Sequence, residues 1–111
     1  MDIKQFLALL LENLSKLDFV DKIDIQTEVF VLKGRAILKK NRFMQIFFNE
    51  LTGTTAFAII EKDMRIWGID YDNMRTWHLH PLENPDTHNE ITPKTVEEII
   101  DMISKVWTEL P

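Results

Sequence analysis

The sequence contains no cysteine, which excludes a disulfide framework, a thiolate zinc site and a cysteine nucleophile. Glycine is scarce, at three residues, and no Gly-rich phosphate loop is present. Positive charge is in deficit. Against 18 Asp and Glu stand 13 Lys and Arg, a formal net charge of −5 at pH 7, so the molecule as a whole is a poor non-specific ligand for nucleic acid. Only a local basic patch would override that average. No apolar run approaches the roughly 20 residues needed to cross a bilayer. The opening MDIKQF has no basic region followed by an apolar stretch, so no signal peptide is expected. These absences together predict a cytoplasmic protein with no membrane association. With 45% hydrophobic and 28% charged residues the chain is not globally disordered, and 111 residues suit a single domain, 1–111.

What is present is a change of period along the chain. From Asp2 to Leu17, the residues Ile3, Phe6, Leu7, Leu10, Leu11, Leu14 and Leu17 recur at helical spacing, with Asp2 and Gln5 placed for a capping box. Between Glu28 and Lys39 the period is two, with Phe30, Leu32, Gly34, Ala36 and Leu38 on one face. Lys40-Asn41, Thr52-Gly53 and Lys62-Asp63 are turn signals that separate further strands at 43–51, 55–61 and 64–72. Ile23 to Gln26 reads as a short extra edge piece. From Thr95 to Leu110 helical spacing returns, through Val96, Ile99, Ile100, Ile103, Val106, Trp107 and Leu110, with Thr95 and Glu98 as a second capping box. The pattern predicts an α+β fold: a four-stranded antiparallel meander, five-stranded with the edge piece, and N- and C-terminal helices packed on one face. The other face is left open.

Chemistry concentrates between Trp67 and His88, which holds all three histidines, two of the three tryptophans and two of the four prolines. His78 and His80, two apart, project to one side of an extended chain. His88 follows a turn-rich LENPD stretch that could bend it back. Histidines near Asp70 and Asp72 suit either general acid–base work near neutral pH or a zinc or manganese ion. The bland alternative is surface imidazoles bonded to loop backbone. Asp70 and Asp72 share a face beside Gly68, and serve either a site or an Asx-type turn. Arg75 suits a phosphate, or an ion pair with either carboxylate. Trp77 either stacks on a base or caps the core. Lys33, Arg35, Lys39, Lys40 and Arg42 form the one basic cluster, compatible with an RNA backbone, an acidic partner or a solvated edge. In the enzyme reading His78 and His80 act as acid and base, Asp72 orients one of them, and Arg75 neutralises phosphate charge. Lys33, Arg35, Trp77 and His88 then contact substrate. No cofactor is expected. No stoichiometric metal is expected either, because Pro81 and Pro85 stiffen the segment that must return His88 to the pair.

The order Lys33-Gly34-Arg35-Ala36-Ile37-Leu38, then Phe43 to Asn49, then IDYDN, WHLHP and His88, resembles the TumE-type toxins of bacterial and archaeal toxin–antitoxin modules. The resemblance covers Phe30 to Leu110 and falls on Gly34, Arg35, Asp72, Asn73, His78, His80 and His88. It departs from the family's pattern at Met74-Arg75-Thr76-Trp77, which separates Asn73 from His78 and marks a divergent member. The resemblance implies a small cytoplasmic toxin whose partner is a cognate antitoxin protein, and adds Asn73 to the substrate-binding candidates. Two readings stand: a toxin-like enzyme acting on RNA or nucleotides, and a non-enzymatic protein-binding module with a structural histidine loop. The sequence leaves the oligomeric state open, a dimer among the options.

Overall fold

The computed structural model describes residues 1–111. Its elements run α1 (Ile3–Leu14), β1 (Val20–Glu28), β2 (Val31–Leu38), β3 (Arg42–Asn49), β4 (Thr55–Glu61), β5 (Met64–Asp72), β6 (Thr76–His80), β7 (Asn89–Glu90) and α2 (Val96–Glu109). The fold is α+β, with two helices and one antiparallel sheet in the order β1-β2-β3-β4-β5-β6-β7, each strand pairing with its neighbour in sequence. No helix is long and apolar enough to cross a membrane.

The sheet is larger than the four or five strands expected. The edge piece at 23–26 is a full nine-residue strand, and two strands follow β5 where a loop was expected. The extra length of β1 comes from a turn that carries no turn residues. Val29, at φ 25°, reverses the chain beside Phe30, so that Glu28 pairs with Val31. A β-branched residue at positive φ is an outlier, which is why the 28–39 run reads as one strand. Thr76 (φ 60°), where the β5–β6 turn enters β6, is a second such outlier, whereas the turns at 40–41 and 62–63 follow their chemistry. Lys40 and Asn41 (φ 62° and 59°) and Lys62 and Asp63 (φ 51° and 63°) take the paired positive φ of the tight hairpin turn whose twist matches the flanking strands.

One sheet face is apolar apart from Arg42 and Thr55. Leu32, Ala36, Leu38, Met44, Ile46, Phe48, Phe57, Ile59, Trp67 and Ile69 are buried on it, together with Phe6, Leu10 and Leu14 of α1 and Val96, Ile99, Ile100 and Ile103 of α2. Phe6 stacks on Phe48 at 4.2 Å between ring centroids and lies beside Phe57, so α1 covers the middle of the sheet. Phe19 stacks on Trp107 of α2 at 4.3 Å. Both helices start at complete capping boxes, Asp2 with Gln5 and Thr95 with Glu98. Arg42 shares the apolar face by strand alternation and is buried there. It donates to Glu61 and to the Pro111 carbonyl, with its guanidinium 5.2 Å from the Trp107 ring centroid. It therefore leaves the expected basic cluster. Lys39 is taken out too, by an ion pair with Asp21.

Candidate functional site

The open sheet face carries the site, and the register of the ladders assembles it. Reading across the strands, one row runs Gln26, Lys33, Phe47, Ala56, Asp70, His78, Glu90. The next runs Asp24, Arg35, Gln45, Ala58, Gly68, His80. Small residues in the middle of both rows, Ala56, Ala58 and Gly68, make the face concave there. Two adjoining hollows result, of about 460 Å³ by Lys33 and Arg35 and about 410 Å³ by Arg65 and Asp70, with Gln45 and Phe47 in the walls of both.

At the β5–β6 end, Asp70 and His78 are directly opposed, as are Gly68 and His80. Both imidazoles turn Nε2 toward one carboxylate. His78 Nε2 lies against Asp70 Oδ1, and His80 Nε2 is 3.3 Å from Asp70 Oδ2. Neither approach has the direction of a hydrogen bond, and Asp70 Oδ1 and His80 Nε2 are buried without a hydrogen-bond partner. The other ring nitrogens are spoken for: Nδ1 of His78 donates to the Thr76 carbonyl at 3.2 Å and Nδ1 of His80 to the Pro85 carbonyl at 3.1 Å. Carbonyls only accept, so each ring carries a proton on Nδ1, and in the neutral tautomer this leaves Nε2 as a lone pair.

The segment after β6 folds back over this end. Asn84 N–H donates to Pro81 and Thr87 N–H to Asn84, two successive turns that return His88 to the cluster. Its ring centroid is 4.5 Å from that of His80 and 5.1 Å from that of His78. Pro81 and Pro85 do not hold His88 away, as expected from their stiffness. They shape the return, with the Pro85 carbonyl also 3.4 Å from the Arg65 guanidinium. Burial follows from this roof. His78 and His80 are only 4% and 1% exposed, whereas His88 is exposed. Access to the histidine pair from solvent, expected from sequence, is thus confined to His88.

Arg75 lies beside His88, its Nη1 donating to Nδ1 at 3.2 Å, and pairs with neither Asp70 nor Asp72. The His88 imidazole is held below the usual histidine range, first by loss of solvation over the cluster, then by His80, Arg75 and His78, which favours the neutral form that accepts that bond. Asp72 is occupied otherwise. Its Oδ1 accepts from the amides of Met74 and Arg75 at 2.9 and 2.7 Å, an Asx-type turn whose bonds, chiefly the one from Arg75, hold its carboxyl below the usual range. The carboxylate against both histidines is Asp70, two residues earlier on the same face, although Asp72 stays near Asp70 and His78. Asn73 sits in the exposed turn and accepts from the Tyr71 hydroxyl. Trp77 faces the helices, beside Tyr71, on the opposite side of the sheet from the histidines. It offers them no stacking ring.

Lys33 and Arg35 face the hollow from the far side, four strand spacings from the histidines, roughly 19 Å. None of the ion pairs involves either residue, and Arg35 lies over the Phe43 ring at 4.2 Å. Residues that sequence reasoning did not single out, Gln45 and Arg65, complete the walls. Strand alternation was a sufficient signal for the face of Gln45, but it assigns Arg65 to the apolar face of Trp67 and Ile69, and only the register shift opposite Ile59 and Ile60 turns Arg65 to the open side. Comparison with family models, with curated proteins and with solved structures gives no match.

Proposed function

We propose that the protein is a toxin-like enzyme acting on RNA or nucleotides, with the histidine end of the open sheet face as its reacting centre and an antitoxin protein as its partner. The observation that carries this reading is the convergence of Asp70, His78, His80 and His88 under Arg75, at one end of a hollow whose other end holds the unpaired Lys33 and Arg35. Arg75 is exposed and free to turn from His88 to a phosphate, where a guanidinium stabilises charge developing in the transition state. His88 is the group that meets substrate. His78 and His80 are buried and act through what they hold. A span of roughly 19 Å between the two ends suits several nucleotides of an extended strand better than one phosphate. The acidic net charge then confines binding to this face.

The burial of His78 and His80, each bonded to a backbone carbonyl, favours a second reading in which the cluster is structural and the face binds a protein. One experiment separates the two. The chain is expressed from a tightly controlled promoter in a bacterial host, with growth and total RNA integrity followed, and the purified protein is incubated with labelled RNA. The enzyme reading expects arrest and RNA modification, both lost in Arg75→Ala and His88→Ala while circular dichroism is unchanged. Arrest that survives in both variants, or RNA left intact by the wild type, overturns it.

A further inference from the structure

The proton positions leave a charge problem at the centre of the site. Two Nε2 atoms and a carboxylate crowd together, with the opposite ring nitrogens already committed to the Thr76 and Pro85 carbonyls. Three electron-rich groups so close repel unless positive charge sits among them. Nδ1 donating to a carbonyl while Nε2 faces inward is also how protein histidines are oriented when Nε2 ligates a metal. His80 Nε2 and Asp70 Oδ1 are buried without a hydrogen-bond partner, and His80 is 1% exposed.

We propose that His78, His80 and His88, with Asp70, bind a divalent transition metal of the zinc class. Ring nitrogens of the three histidines already lie within 4.8 Å of one another. A tetrahedral ion at about 2.0–2.1 Å from each nitrogen asks for separations near 3.4 Å, so closing the set takes side-chain rotations on the order of an ångström. Three of the four ligands sit on rigid strands, while the exposed His88 is the one with freedom to adjust. Imidazoles with one carboxylate favour zinc over magnesium or calcium, which prefer all-oxygen shells. The carbonyls of Thr76 and Pro85 are the outer partners that fix the rings. The expectation of no stoichiometric metal rested on a stiff segment keeping His88 away, and that segment brings it in.

Metal binding stands on these residues alone. What the metal acts on rests on the RNA reading, in which the ion lies at the reacting end of the hollow, beside Arg75. The test uses full-length protein without a His-tag, purified without chelator, then analysed for metal and titrated with zinc and with cobalt as a spectroscopic probe. The expected result is about one ion per chain, with cobalt bands of mixed nitrogen and oxygen ligation. His80→Ala abolishes binding. His88→Ala, at an exposed position that leaves the fold intact by circular dichroism, weakens it at least about tenfold. Arg75→Ala leaves the stoichiometry unchanged. Protein that stays free of metal in excess zinc overturns the inference, as does a His88→Ala variant that binds as tightly as wild type. Metal bound without any action on RNA removes only the proposed function. RNA cleavage by metal-free protein removes only the metal's part in it.

Discussion

Leu10 and Leu11 are successive leucines of one helix, and α1 packs so that they experience opposite environments. Leu10 has no accessible surface and sits in the core cluster, whereas Leu11 is 43% exposed. Replacing either by Ala changes helix propensity by the same small amount, so the difference between the two variants reports burial alone. For Leu10→Ala, three carbon groups at about 0.8 kcal/mol each give about 2.4 kcal/mol of lost transfer energy. The cavity beneath α1 adds to this, for a total of about 3–5 kcal/mol. Leu11→Ala should cost less than about 1 kcal/mol. Urea unfolding followed by tryptophan fluorescence resolves the pair as a midpoint lowered by about 1–2 M in the first variant and barely moved in the second. Equal losses, or a Leu10→Ala cost below about 1 kcal/mol, would refute the placement of α1 on the sheet.

Two other predictions test structural features away from the site. Arg42→Ala removes the buried bonds to Glu61 and the Pro111 carbonyl and the cover over Trp107, and should cost about 2–3 kcal/mol with faster amide exchange in the last turn of α2; unchanged exchange there would exclude the clamp. Glu98 is held below its usual 4.5, first by the Thr95 backbone bond and then by its side chain, so its contribution to stability is present above that value and is lost as pH falls through the lowered one. Glu98→Gln should therefore flatten the acid side of the stability profile, measured as urea midpoints at neutral and at acid pH; parallel profiles for variant and wild type would contradict it.

The helices were legible because each carries two agreeing signals, a seven-residue apolar stripe and a capping box, and both boxes form. The paired positive-φ turns were legible for the same reason, since Lys40-Asn41 and Lys62-Asp63 combine a tolerant residue with flanking alternation. Val29-Phe30 offers no such chemistry, and β1 has no fully buried position to advertise it, so a whole strand shrank to a fragment. The facing of Arg42 could be read from its spacing to Met44, Ile46 and Phe48, but its charge argued for solvent. Trp77 and His78 divided between the faces as alternation requires. The pairing of His78 with Asp70 rather than Asp72 depends on the length of the turn at 73–75, and the burial of the histidines depends on a returning loop. Neither is written in local periodicity.

The strictly sequential strand order has a kinetic meaning. Every ladder joins segments adjacent in the chain, so the sheet can grow hairpin by hairpin, each step closing only a short loop. The pairing of α1 with α2 is different, since it joins segments separated by about 80 residues and is the main ordering cost that no hairpin prepays. Until that pairing forms, the apolar sheet face is roofed on one side only. A chain caught at that stage presents a broad adhesive surface next to an unsealed β1 edge, and a chaperone or a bound partner would find its best purchase there.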